Sequence, residues 1–280
     1  MRTLNGFGPL AELKLDKITR ECVADFAAHR QDEELQAASI NRSLQVLRRV
    51  LRLAVDWKVI ASAPKIELLR GEKHRERVIS LAEEAMYLAA APGPLASIAT
   101  ILVDSGMRPE ECFRLRWESV IWVNGRYGSM LITHGKTKAA RRVLPMTPRV
   151  RAILEMQWER FGRPLDGWIW AAPTRSSHVE PSTLKKQHAR TFKVLREQSQ
   201  SDNEKPVRPF VLYSLRHTFL TRLGASGCDA WTLARIAGHS SINMSARYVH
   251  PSEDVVFNAL EQLQAKPLKQ QQADRPALPA

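Results

Sequence analysis

Three polar side chains of complementary chemistry follow one another in the last third of the chain: a cation at Arg216, an imidazole at His239 and a phenol at Tyr248. A phenol has an ordinary pKa of about 10. A tyrosine is therefore a useful nucleophile only where a neighbour takes its proton or stabilises charge on its target. A phosphodiester held by arginines meets that need, so this order favours a site for phosphoryl transfer.

Two upstream segments extend the series. The segment 104–111 carries Arg108, with Glu111 three residues later, and the basic segment 134–145 is typical of a β-hairpin bearing Lys136. In order, Arg108, Lys136, Arg216, His239 and Tyr248 resemble the catalytic set of the tyrosine recombinases, the phage integrase family. The resemblance runs from about residue 18 to about residue 263.

The resemblance implies a mainly α fold with a small antiparallel β-sheet, in which an N-terminal helical DNA-clamp (core-binding) domain precedes a tyrosine-recombinase catalytic domain. We expect the clamp at residues 1–69, a linker at 70–78, the catalytic domain at 79–263 and a disordered tail at 264–280. The pattern predicts strands near Met130–Thr133 and Arg142–Met146 and a helix over Leu184–Gln198. A last helix is expected over Glu253–Leu263.

The resemblance also implies a role for each residue. Arg108 and Arg216 would contact the non-bridging oxygens of the scissile phosphate, since guanidinium groups offer paired donors. Tyr248 would attack to form a 3′-phosphotyrosyl bond, and Lys136 would protonate the 5′ leaving oxygen.

The remaining roles are auxiliary. His239 would bond to the phosphate or assist the tyrosine proton, and Glu111 would orient an arginine. Lys138, two residues after Lys136, is the alternative lysine; the Gly–Lys order before the hairpin turn matches the family better and favours Lys136.

One position departs from the family. Three residues before Arg216 the family usually has histidine, and this chain has Tyr213. A tyrosine can donate a hydrogen bond to a phosphate oxygen, but it does not shuttle protons near neutral pH as imidazole does. His217 is expected to point elsewhere on the helix and to be structural.

The first domain is expected to be helical, because Ile40, Leu44, Leu47, Leu51 and Ala54 repeat at helical spacing. Ser39 is the expected N-cap of that helix. Its other faces carry arginines that either track a phosphate backbone or form a solvated surface. The expected DNA-binding residues are Arg42, Arg48, Arg49, Arg52, Lys138, Arg141, Lys185 and Lys186.

The composition agrees with a polyanionic partner. Forty-two Lys and Arg against 29 Asp and Glu give a net charge of +13. Three scattered cysteines, Cys22, Cys112 and Cys228, indicate a reduced, cytoplasmic protein. The apolar run Ala85–Val103 is broken at Pro92, which favours two short helices, the second buried, over a membrane span. No nucleotide loop or metal-ligand spacing is present in the sequence, so no cofactor and no metal are expected.

The sequence therefore predicts a site-specific DNA recombinase or integrase that works without metal or ATP, in the cytoplasm and on the nucleoid when bound to DNA. Its expected partner is double-stranded DNA, on which it forms a homo-tetramer, with a possible accessory DNA-bending or directionality factor. Two alternatives stay open: a catalytically impaired DNA-binding remnant of the family, and a type IB topoisomerase-like DNA relaxer.

Overall fold

The computed structural model describes residues 2–72, 77–135, 138–201 and 206–249, together with Phe257, Leu260 and Glu261. The chain folds into two compact units, Met1–Arg75 and Glu76–Ala280. The predicted linker at 70–78 spans this division, but 73–76 lie outside the described residues.

The first unit is helical. It contains α1 (Arg2–Asn5), α2 (Gly8–Ala11), α3 (Arg20–Asp32) and α4 (Ala37–Asp56). One face of α4 is buried, as the spacing predicts, and it packs with Val23 and Phe26 of α3. The N-cap prediction is wrong: α4 begins after Gln36, two residues before Ser39. Two alanines, the best helix formers, carry the helix back through Ala37 and Ala38.

An extended segment closes the first unit across α4. The buried side chain of Asn41 donates to the carbonyl of Leu69 (2.9 Å) and accepts from its amide (2.8 Å). Two helix turns further along α4, Arg48 donates to the carbonyl of Ile66. These bonds satisfy backbone groups that no helix or sheet pairs in this segment.

The second unit is mainly helical as well. Its helices are α5 (Leu81–Ala90), α6 (Gly93–Ser105), α7 (Pro109–Phe113), α8 (Pro148–Arg160), α9 (Pro181–Ser201), α10 (Leu212–Ala225), α11 (Ala230–Ala237) and α12 (Asn243–Ala246). The apolar α6 is buried along most of its length and packs against α5, α8 and α10. The prediction of two short helices with a buried second one is confirmed.

A three-stranded antiparallel sheet accompanies these helices. The strands β1 (Val120–Ile121), β2 (Ser129–Ile132) and β3 (Arg142–Pro145) lie in the order β1-β2-β3, with Met130 opposite Leu144. The predicted hairpin is confirmed, and β1 is an addition to it. Residues 136–137 of the connection lie outside the described residues, and with them Lys136. The predicted mainly α fold with a small antiparallel sheet is confirmed.

The ends of the second unit are described in part. Ser80 caps α5 and exchanges hydrogen bonds with Glu83 in a capping box, as the sequence predicts. Of the predicted helix Glu253–Leu263, the structure describes Phe257, Leu260 and Glu261, which are helical. The rest of that helix and the predicted tail at 264–280 lie outside the described residues.

A buried carboxylate joins three helices of the second unit. Glu84 on α5 accepts from Arg149 on α8 (3.1 Å) and from Arg222 on α10 (2.6 Å). Because Glu84 is buried, these two cations compensate its desolvation. This ion pair network helps to hold α10, which carries several of the predicted site residues. Among the described helices, none has both the length and the apolar content that crossing a bilayer requires.

Candidate active site

The predicted arginines are hydrogen-bonded to carbonyl groups at the C-terminal ends of two helices. Helices α6 and α11 both end in a left-handed glycine, Gly106 and Gly238. Carbonyl groups at a helix C-terminus lack intrahelical partners and carry partial negative charge. Arg216 donates to the carbonyls of Gly106 (2.6 Å) and Ala237 (2.7 Å), and Arg108 donates to that of Gly238 (2.9 Å). The two predicted arginines therefore converge on one place.

Gly238 cannot be replaced there without strain. Its φ is +65°, and a Cβ would lie 2.8 Å from Nη1 of Arg142 and 3.1 Å from the carbonyl oxygen of Ala139. Only glycine combines this left-handed conformation with so close an approach. The backbone conformation and the close contacts at this position therefore explain why residue 238, before His239, is a glycine.

Arg216 is 1% exposed, although it carries a charge. Burial, together with the neighbouring charge of Arg108, lowers its pKa to about 10, so it is protonated at neutral pH. Its Nε is buried and has no partner among the described residues. A guanidinium has five N–H groups, and the carbonyls use only some of them. Arg216 can therefore take a further acceptor.

Glu111 lies between two arginines. Its carboxylate accepts from Arg108 (Nη1–Oε1, 2.7 Å) and makes a two-point pair with the buried Arg142 (Nη2–Oε2, 2.9 Å; Nη1–Oε1, 3.2 Å). Burial alone would raise the pKa of Glu111, but the hydrogen bonds and charges of Arg142 and Arg108 more than offset this and lower it. Glu111 is ionised and orients both guanidinium groups.

Arg142 is a residue of this cluster that was not predicted from the sequence. Its neighbours along β3 alternate, with Leu144 buried and Val143 exposed, which places residues 142 and 144 on the inward face. That alternation was the available signal for a buried arginine at this position. Arg142 also donates to the carbonyls of Ile236 and Ala140, both at 2.7 Å.

The ring of His239 lies between Arg216 and Ser245. Its Nε2 lies 3.1 Å from Nη2 of Arg216, and its Nδ1 lies 2.7 Å from Oγ of Ser245. Arginine only donates, so Nε2 accepts and Nδ1 carries the hydrogen. Desolvation, with the charges of Arg216 and Arg108, lowers the pKa of His239 to about 4. His239 is neutral, and both ring nitrogens are occupied by protein partners.

Tyr248 lies just beyond α12 and is 6% exposed. Its hydroxyl lies 3.2 Å from Nδ1 of His217 and accepts from Nη2 of Arg247 at 3.3 Å. The His239 ring is stacked at 6.4 Å between centroids. The backbone is seated on Gly224 of α10, where a Cβ would come within 1.8 Å of the Tyr248 carbonyl oxygen. The phenol is thus held beside the arginine cluster through His239.

The expectation that His217 points elsewhere is wrong. His217 lies four residues after Tyr213 on α10, and residues four apart share a face of a helix. The adjacent Arg216 is long and reaches the helix ends, while His217 faces the segment that carries Tyr248. The ring centroids of His217 and Tyr248 are 5.2 Å apart.

Tyr213 lies at the rim of this cluster. Its side chain is 49% exposed, and it lies on α10 three residues before Arg216. Residues three apart are neighbours on a helix surface, so Tyr213 is accessible to solvent beside Arg216.

The cluster carries an excess of positive charge. Among the described residues, the cluster contains one carboxylate, that of Glu111, and four guanidinium groups, those of Arg108, Arg142, Arg216 and Arg247. An open groove of about 460 Å³ adjoins it, and its lining includes Arg141, Arg142, Arg235 and Trp231 beside His239. Such a site suits a phosphate or another oxyanion.

The predicted DNA-binding residues lie in both units. Arg42, Arg48, Arg49 and Arg52 are exposed on α4, and Arg141, Lys185 and Lys186 are exposed in the second unit. Lys136 and the side chain of Lys138 lie outside the described residues. Within the described ranges, no group of three or more His, Cys, Asp or Glu side chains is arranged to hold a metal ion.

The profile of the phage integrase family matches residues 61–254, more than half of the chain. The chain belongs to the phage integrase family. This is the family of tyrosine recombinases, enzymes that cut and rejoin DNA strands. The predicted family resemblance is confirmed.

Two curated members of the family illustrate the relationship. The integrase of Escherichia phage P2 is 24% identical over 250 residues, which cover 87% of this chain and 64% of the phage protein. The tyrosine recombinase XerC of Pediococcus pentosaceus is 24% identical over 240 residues, covering 80% of this chain and 74% of the relative. This integrase-family chain therefore spans less than two thirds of the P2 integrase.

Solved structures show the same fold. The Tn1549 transposon integrase, in complex with circular intermediate DNA, aligns with a TM-score of 0.74 and 18% identity, over 92% of this chain and 90% of that one. A lambda integrase dimer bound to a core site aligns with a TM-score of 0.63 and 18% identity, over 85% and 82%. The integrase-family fold thus extends over both units of the chain.

Proposed function

We propose that this chain is a site-specific DNA recombinase that cuts and rejoins DNA through a 3′-phosphotyrosyl bond to Tyr248. The observation that carries the proposal is the arrangement of a phenol, a neutral imidazole and buried guanidinium groups in one electropositive cluster. Tyr248 stacks on His239, and His239 accepts from Arg216. Catalysis of phosphoryl transfer is mainly positioning and charge stabilisation, and this cluster offers both.

The phosphate would be held by Arg108 and Arg216, which have N–H groups beyond those that bind carbonyls and Glu111. As the Tyr248 oxygen bonds to phosphorus, negative charge grows on the non-bridging oxygens, and the two guanidinium groups stabilise it. Tyr213, exposed beside Arg216, would donate a further hydrogen bond. Lys136 would give a proton to the 5′ oxygen as it leaves.

This chemistry requires neither metal nor ATP. The arginines supply the charge that a metal ion would otherwise provide, and the phosphotyrosyl bond retains the energy of the cleaved phosphodiester. A 5′ hydroxyl from another strand can then displace Tyr248, which rejoins the DNA and frees the enzyme.

Double-stranded DNA is the proposed substrate. The net charge of +13 favours association with phosphates, and the Tn1549 and lambda integrases were both solved on DNA. The first unit would form the helical clamp at 1–69, the segment 70–78 the linker, and residues 79–263 the catalytic domain. The enzyme would work on the nucleoid in the cytoplasm, as a homo-tetramer on two duplexes, with an accessory DNA-bending or directionality factor.

Strand exchange tests this proposal. Two duplexes of different length, one labelled, would carry the DNA that flanks the protein's own gene. We expect a labelled product of new length with the wild type and none with Tyr248→Phe. Relaxation of a supercoiled plasmid bearing this DNA, without exchange, would indicate a type IB topoisomerase-like relaxer instead. Specific binding without exchange or relaxation would indicate a DNA-binding remnant.

A further inference from the structure

We propose that His217 is the general base that takes the proton from Tyr248, in a chain that lacks the histidine usual at position 213. This inference rests on the proposed function, since it concerns the same nucleophile. Among the described residues, two side chains are hydrogen-bonded to the Tyr248 hydroxyl, His217 at 3.2 Å and Arg247 at 3.3 Å.

The chemistry of the three side chains decides which atom donates in each of these two hydrogen bonds. A guanidinium has no acceptor, so Arg247 donates to the phenol oxygen. The phenol proton needs an acceptor of its own, because Tyr248 is 6% exposed and an unsatisfied buried hydroxyl is costly. Among the described residues, Nδ1 of His217 is the acceptor in reach. In this arrangement Nδ1 accepts from the phenol and can take its proton.

Two other described residues could be considered as the base, His239 and Tyr213, but neither fits that role. In His239, Nε2 accepts from Arg216 and Nδ1 donates to Ser245, so neither nitrogen is open to the phenol proton. Burial and the surrounding arginines lower the pKa of His239 further, which makes it a weak base. Tyr213, at the position of the usual histidine, is half exposed at the rim of the cluster, and its side chain has no imidazole nitrogen to accept the proton.

The proposed step transfers one proton to His217 and exchanges one phosphorus–oxygen bond for another. The Oη–H bond of Tyr248 breaks and its proton moves to Nδ1 of His217, while Oη bonds to the scissile phosphorus. The bond from phosphorus to the 5′ oxygen breaks, and that oxygen takes a proton from Lys136. Arg247 stabilises the charge that develops on Oη during the transfer. On rejoining, His217 returns the proton to Tyr248 as the tyrosine leaves.

The test compares variants on one probe. Nicked duplexes that tile the DNA flanking the gene are screened with the wild type for a denaturation-resistant adduct, and the positive duplex is then used throughout. His217→Asn places a side-chain nitrogen or oxygen near the position of Nδ1 but has no basic nitrogen. We expect adduct formation to slow by about 100-fold or more, with unchanged binding of the duplex and an unchanged unfolding midpoint. His29→Asn, at an exposed histidine of the first unit, is the matched control and should keep the wild-type rate.

Rescue separates a basic role from a packing role. His217→Ala leaves room for a small base, so added imidazole should restore a large part of the lost rate, whereas Tyr248→Phe should show no rescue. An unchanged rate in His217→Asn, or a slow His217→Ala that imidazole does not restore, would overturn the role of His217 and leave the proposed function intact.

A measurement without DNA covers the remaining case, in which the wild type forms no adduct and the proposed function itself fails. Nitrogen NMR of the free protein should show His217 with an unprotonated Nδ1 whose chemical shift changes in Tyr248→Phe. A protonated Nδ1, or a shift that ignores Tyr248→Phe, would refute the proposed proton acceptor directly.

Discussion

Arg142 and Glu111 form a two-point ion pair, with Nη2 2.9 Å from Oε2 and Nη1 3.2 Å from Oε1, and both side chains are buried. The same carboxylate holds Arg108. The guanidinium that is proposed to bind the phosphate is therefore connected to β3 through Glu111.

Loss of Arg142 should destabilise the fold. Arg142→Met leaves the buried Glu111 with Arg108 as its remaining ion pair partner, and breaking a buried pair costs on the order of 3 kcal/mol. Urea unfolding measures this loss. Arg163→Met is the control, because its ion pair with Glu159 is exposed and should contribute little. Equal unfolding midpoints for both variants would contradict the importance of the Arg142–Glu111 pair.

Replacing Gly238 by alanine should impair both stability and catalysis. The left-handed conformation alone costs about 1–2 kcal/mol for a residue with a Cβ, and the contact with Arg142 adds to it. Gly162→Ala has a similar positive φ with open space around the Cβ. We expect Gly238→Ala to lose more stability than Gly162→Ala and to slow adduct formation, since its carbonyl holds Arg108. The same loss of stability in both variants would rule out the close contact.

Stability should fall as the pH falls from about 6.5 to about 4. Burial and neighbouring arginines lower the pKa of His239 to about 4 in the folded protein. In that window the unfolded chain binds a proton that the folded protein does not, so acid favours unfolding. Burial also lowers the pKa of His188, which acts in the same direction. Urea unfolding at a series of pH values should show a shallower fall for His239→Gln than for wild type. Identical slopes would contradict the depressed pKa of His239.

The salt dependence of DNA binding should report on α9. Lys185 and Lys186 are exposed on its first turns, and a phosphate contact adds about 0.9 to the slope of log affinity against log salt. We expect Lys185→Ala or Lys186→Ala to reduce that slope by about this amount across different duplex sequences. Lys185→Arg keeps the charge and should keep the slope. An unchanged slope in the alanine variants would place α9 away from the DNA.

The site residues that were predicted from the sequence are those that lie in short, recognisable sequence motifs. Arg108, Arg216, His239 and Tyr248 each stand in a recognisable motif, and the structure brings all four together. The α4 stripe, the Ser80 capping box and the hairpin strands likewise depend on periodicities and caps that lie within a few residues. Their positions followed from propensity and pattern.

The parts that were missed depend on contacts between distant segments. Arg142 meets Glu111 across 31 residues of chain, and His217 meets Tyr248 across another 31. Alternation along β3 marks Arg142 as inward-facing, but no spacing in the sequence indicates that it pairs with Glu111 or that His217 pairs with Tyr248. Strand β1 has only two residues, which is too short to show alternation. The start of α4 was predicted wrongly for a local reason. The helix propensity of two alanines outweighed the capping preference of Ser39.

We propose that Tyr248 becomes covalently joined to DNA, and that bond can be mapped to a single residue. The wild type would be incubated with nicked duplexes that tile the DNA flanking its gene, denatured and digested, and the peptides would be examined by mass spectrometry. We expect a nucleotide on the peptide that contains Tyr248, attached through a 3′ phosphate, and its absence in Tyr248→Phe. A DNA adduct on any other residue, or specific binding by the wild type with no adduct at all, would refute the role of Tyr248 as the nucleophile.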